Sequence, residues 1–308
     1  MSALLLKQIV VLFLMMGLGA LLVRLRLLKS EDSRVLSLIL IYIVVPCVIV
    51  RSFQIEFTPE VRDGFLLALG AGALIHVLLY LLTRLCRRFF GLDAVEQGSV
   101  MYSNSGSLII PLVTAVLGEE WIIYASAFTC VQLVVMWTHG CTLISGEKHI
   151  SWKKILLNIN LIAVAVGLLL LVLCIRLPGL LRDAMGQISA TVGPVSMIMI
   201  GMLLADVNWK ELLASKRLYL ITLLKMVGVP LAVLLFLRLS GLAALAPEGK
   251  TILYISFLAV ITPSATTVTQ LAQIYRNRPD YSSAINAITT VVCLATMPMM
   301  TWVFEKIM

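Results

Sequence analysis

Two stretches of this chain carry groups able to bind a small polar guest. One is Tyr102-Ser103-Asn104-Ser105-Gly106-Ser107, followed by Pro111; the other is Ile261-Thr262-Pro263-Ser264-Ala265-Thr266-Thr267. Each interrupts the middle of an apolar run long enough to cross a bilayer. Non-helical backbone at that depth leaves N–H and C=O groups unpaired, at several kcal/mol per group unless protein, water or ligand satisfies them. One such break in each half of a chain points to a site for a transported solute. Asn104 is the leading candidate, because its amide both donates and accepts and so can hold a carboxylate or an amide-like edge. Ser105, Ser107, Thr262, Ser264 and Thr266 add hydroxyls.

The same residues predict where the helices restart. Gly106 lets the backbone leave helical geometry, and Ser107 is placed to cap a half-helix whose first turn includes Pro111. In the second break Thr262 is a good N-cap and Pro263 suits the first helical position, which starts a half-helix over 263–273. A helix start offers free N–H donors and about half a positive charge. Two starts brought together make an anion cradle. The plainer alternative for either break is a kinked helix whose Ser and Thr hydroxyls bond back to their own backbone.

Other polar groups lie at membrane depth. Lys225 sits nine residues into its apolar run, where a lysine costs about 2.5–3.5 kcal/mol. It either pairs with Asp206 or a backbone carbonyl as a structural ion, or supplies positive potential for an anionic guest. Pro230 frees a carbonyl nearby and suits the structural role. His76 is either a neutral packing group or the candidate for proton coupling. Gln132, Gln270, Gln273 and Asn286 are uncharged groups that can stitch helices together.

The elements that must position these groups are membrane helices. The chain is 60% hydrophobic and 13% charged, with a mean hydropathy of +1.02. Soluble domains run about 45–50% apolar and about 25% charged. The expected fold is all-α and polytopic, with ten spans near 4–26, 35–55, 64–86, 97–117, 121–144, 155–176, 188–206, 216–240, 251–273 and 281–304. The apolar N-terminal run is too long for a signal-peptide core and no A-x-A site follows it, so it reads as the first span. The net charge of +8 comes from short loops between spans and does not indicate a nucleic-acid partner. The six cysteines form no CxxC pair and read as packing residues. No metal or cofactor motif is present.

Fifteen Lys and Arg residues fall in the odd loops, against eight in the even loops and at the termini. That bias puts the odd loops in the cytoplasm and both termini outside. The polar connector 145–154 divides the chain into halves, 1–144 and 155–308, the second inverted relative to the first. Each half has a proline in its second span (Pro46, Pro194), a titratable residue in its third (His76, Lys225) and a break in its fourth.

The stretch Asn104-Ser105-Gly106-Ser107-Leu108-Ile109-Ile110-Pro111, then Leu117-Gly118-Glu119-Glu120 and Tyr124-Ala125, resembles the fourth-span signature of the auxin efflux carrier family. That family includes plant auxin exporters and bacterial permeases labelled for malate or malonate. Pro263 with its small polar neighbours, and Tyr275, are also similar to the family. The resemblance implies two inverted five-helix repeats with broken, crossing fourth and ninth helices. It implies a scaffold of helices one, two, six and seven, a moving domain of three to five and eight to ten, and a homodimer through the scaffold. It further implies elevator-type movement of an organic anion across the inner membrane without sodium. Asn104 then contacts substrate and Gln132 lies near the site. The family's third-span aspartate–lysine pair has no match here. The short connector suggests a bacterial permease. Malate, malonate, citrate, an amino acid or an aromatic acid all fit such a cradle.

Three other functions compete. Sodium-coupled uptake of the bile-acid type shares the architecture but needs buried carboxylates or dense carbonyl oxygens around the ion. A ligand-binding sensor or channel needs the same site without coupled movement. An intramembrane enzyme needs a nucleophile and base, and no G-x-S-x-G or acid pair accompanies the Ser and His residues.

Overall fold

The computed structural model describes residues 2–56, 58–146, 157–205 and 215–308. Among these the regular structure is helical throughout, without strands. In chain order the helices are α1 (Ser2–Arg24), α2 (Ser33–Ile39), α3 (Val45–Ser52), α4 (Pro59–Phe90), α5 (Ala94–Met101) and α6 (Ser105–Val116). Then come α7 (Ile122–Val135), α8 (Cys141–Ser145), α9 (Ile159–Val172), α10 (Gly179–Ala190) and α11 (Val192–Ala205). The last are α12 (Lys216–Leu223), α13 (Val229–Ser240), α14 (Gly249–Val260), α15 (Thr266–Ile274) and α16 (Pro279–Ile307). Single π turns join α2 to α3, α7 to α8 and α12 to α13. Two of these turns lead directly into Val45-Pro46 and Val229-Pro230, where proline cannot donate back to the preceding turn.

Each of the ten expected stretches contains helix among its described residues, the fourth and ninth with a break. By length and apolarity, five helices among the described residues can cross a membrane, or six if the bent α16 counts as one span. The bend is 56° between Cys293 and Ala295. Pro298 explains it, since its ring blocks the helical bond to residue 294. The third stretch starts earlier than expected, at Pro59, because Thr58 accepts from Val61 N–H at 3.3 Å and caps it. The seventh is two helices, α10 and α11, meeting at Thr191. The connector beyond Gly146 and Asp206 lie outside the described residues.

Small residues set the closest packing. α1 lies along α11, with Gly19 against the Ile198 carbonyl and Gly201 against the Met16 carbonyl; a Cβ at either glycine would fall 2.0 or 1.8 Å from that oxygen. Without a hydrophobic drive between helices in lipid, such backbone approach supplies the packing energy. α3 packs on α9 and α10, and Phe53 fills the space over Gly167. α4 packs on α7, α14 lies against α4, α6 and α7, and α16 spans α5, α12 and α15.

One polar cluster fixes four helix ends together. Asp93 and Glu96 form a capping box at the start of α5. Glu96, 2% exposed, takes two bonds of 2.7 Å from Arg217 of α12 and one of 2.9 Å from Tyr281 of α16. Arg217 also donates to Phe90 O and Gly91 O at the end of α4. Arg278 pairs with Asp93 and lies over the Tyr281 ring. The α5 half-helix is therefore aimed by charge-assisted bonds at its outer end.

Candidate functional site

The two sequence breaks are real interruptions, and they touch. α5 stops at Met101 and α6 begins at Ser105; α14 stops at Val260 and α15 begins at Thr266. Between them Ser103 and Ser264 form an antiparallel bridge. Asn104 N–H donates to Pro263 O at 2.8 Å, and Ala265 N–H donates to Tyr102 O at 3.1 Å. Each break thus supplies backbone partners to the other, which is the requirement for unwound chain at membrane depth.

This pairing corrects the expected helix starts. Gly106, Ser107 and Pro111 lie within α6, so neither the glycine nor Ser107 marks its beginning; Asn104 is the N-cap residue, at φ −77° and ψ 50°. In the second break the helix begins at Thr266, not Pro263. The bridge holds Ser264 extended, and Thr262 turns its hydroxyl back to Ala259 O at 2.8 Å instead of capping forward.

Side chains converge on the bridge. Gln132 of α7 donates to Ser103 O and to Ser105 Oγ, each at 2.8 Å. Lys225, in the π turn between α12 and α13, is 0% exposed and donates from Nζ to Ser103 Oγ at 2.7 Å. The Ser103 hydroxyl donates its own proton to Val260 O at 3.1 Å. On the other side, Asn286 of α16 donates to Ser264 O at 2.8 Å, and Thr289 Oγ1 accepts from Ser264 N–H at 3.2 Å. Tyr102 Oη donates to Val135 O and lies 2.8 Å from His139 Nδ1.

The structure therefore brings together Asn104, Ser105, Gln132, Lys225, Pro263 and Ser264, with Thr262 and Thr266 at the two edges of the second break. Asn104 is 5% exposed, and its side-chain amide has no hydrogen-bond partner among the described residues. His76 donates from Nδ1 to Gly72 O at 2.7 Å within α4 and packs on Phe128. Sequence reasoning passes over Ser103, Thr289 and the bridging role of Asn286. A polar residue in the last span of each half, Gln132 and Asn286, is the readable signal.

A cavity of about 390 Å³ lies at the far end of α6, lined by Thr114, Arg51, Arg182, Glu119, Glu120 and Pro194. It is about 15 Å along the helix from Asn104. Arg51 of α3 donates there to Glu119 Oε1 at 2.8 Å.

A family described as membrane transport protein matches residues 4–151 and 147–301. The two matches meet inside the expected connector and together cover nearly the whole chain. No curated protein matches the chain. Helices apolar and long enough to cross a membrane and this match agree: the chain belongs to the auxin efflux carrier family of membrane transport proteins.

Proposed function

We propose that this transporter is a secondary carrier or facilitator for a small organic anion, a carboxylate such as malate or malonate or an auxin-like acid. The observation that carries the reading is Asn104: a nearly buried amide at the start of α6, without a hydrogen-bond partner among the described residues, beside a paired backbone break and a buried ammonium. The first turn of α6 adds N–H donors, and Lys225 adds positive charge behind them. Ser105, Ser107, Thr266 and Pro111 form the rest of the proposed cradle, with Thr262, Pro263 and Ser264 holding its second side.

In this reading the chain crosses the inner membrane ten times as two inverted repeats, 1–144 and 155–308, with both termini outside. Helices four and nine cross at the Ser103–Ser264 bridge. The first, second, sixth and seventh spans form the scaffold, and a pair of scaffolds the homodimer. The break-bearing helices carry the anion by elevator movement. His76, whose Nε2 is buried without a partner among the described residues, is the proton-coupling candidate.

The test is uptake of labelled malate, malonate and an aromatic acid into proteoliposomes under an anion gradient. Saturable uptake with stimulated counterflow supports a carrier. Unitary currents in its place, or no flux for any anion in the panel, overturn the reading.

A further inference from the structure

The helix ends around the breaks differ in polarity, and Lys225 lies on one side of that division. α5 and α14 both stop at the bridge, so each turns a C-terminal carbonyl end, worth about half a negative charge, toward it. α6 and α15 both start there and turn N–H groups toward it. Lys225 Nζ bonds Ser103 Oγ, and that hydroxyl bonds the carbonyl of Val260, the last residue of α14. The ammonium is thus attached to the carbonyl side. A lysine that gripped the guest's carboxylate would face the N–H side, where the Asn104 side chain has no hydrogen-bond partner among the described residues. No carboxylate among the described residues forms an ion pair with Lys225. Helix C-terminal ends and unwound carbonyls at mid-membrane are where carriers hold coupling cations. An ammonium with three donors, fully enclosed, meets the same electrostatic demand.

We propose that Lys225 is a tethered cation that fills the cation position of the paired breaks, so that the protein works without a co-bound monovalent ion. Removing its ammonium while leaving the oxygens of Ser103 and Val260 creates a site for a free cation. The transport arm of the test rests on the carrier reading; the binding arm does not.

The test compares the wild-type protein with Lys225→Ala in thermal unfolding, in choline chloride and then in sodium, potassium or methylammonium chloride at equal ionic strength. Lys225→Ala is expected to unfold below the wild type in choline. One of the small cations should raise it by several degrees at about ten times its dissociation constant, as expected for a ligand that binds only the folded form. The wild type should not respond. Lys225→Ser, which adds an oxygen ligand, is the second variant if Lys225→Ala does not fold. In proteoliposomes the wild-type rate should be equal in choline and sodium. The variant should be slower by about tenfold in choline, equivalent to one unit in log rate, and recover in the cation that stabilises it. Variants indifferent to every small cation in unfolding, or a wild type that needs sodium, overturn the proposal. A wild type that moves no anion sinks the carrier reading alone, because the unfolding arm reads cation binding directly.

Discussion

The two breaks solve one problem with different chemistry. Each exposes a serine carbonyl, and each receives a side-chain amide: Gln132 of α7 to Ser103 O, Asn286 of α16 to Ser264 O. There the likeness ends. The first break is short, Tyr102 to Asn104, and carries a buried ammonium and a side-chain amide without a hydrogen-bond partner among the described residues. The second is longer, Ile261 to Ala265, and holds Pro263, which brings no N–H to satisfy, and Thr289, which takes up the Ser264 N–H. In the second break Thr289 and Asn286 of α16 take up both backbone groups of Ser264.

Mutations can break that distinction. Gln132→Leu has the largest expected effect: two acceptors lose their donor at depth, at about 1–3 kcal/mol each, read as a lower unfolding temperature in detergent. Next comes Asn104→Ala, expected to lower carboxylate uptake by about tenfold, or about 1.4 kcal/mol. Its unfolding temperature should stay near the wild type, because the side chain has no hydrogen bond to lose among the described residues. A large loss of stability with Asn104→Ala would mean the first break is structural. Asn286→Leu removes one bond and should destabilise by about 1 kcal/mol, with uptake reduced less than by Asn104→Ala. Equal losses of uptake for the two would erase the asymmetry. Thr289→Val is expected to cost least, about 0.6 kcal/mol.

Much of this is legible in the residues because bilayer depth forbids idle polar groups. A Ser-Asn-Ser-Gly-Ser run inside an apolar stretch has to find partners, and that is why both breaks, Asn104, Gln132 and Lys225 stand out in the amino-acid sequence by itself. Helix starts are misjudged there for a physical reason. Thr262-Pro263 is a good local start, yet pairing with a segment far away in sequence holds Ser264 extended and delays the helix to Thr266. Local capping rules cannot see a partner in the other half. For the same reason Ser103 escapes notice: its importance lies in being the contact of Lys225, Gln132 and Val260, which no spacing reveals. Glu96 escapes too, although Asp93-x-x-Glu96 is a readable capping box. His76 stands out as titratable and deep, and its Nδ1 bond stays inside its own helix.

The glycine seam between α1 and α11 has a mechanical consequence. Two helices whose backbones meet at Gly19 and Gly201 cannot slide or roll past each other without driving side-chain-bearing residues into the Ile198 and Met16 carbonyl oxygens. They behave as one stiff plank. On the proposed carrier reading, the helices that bear the gaps would move against that plank.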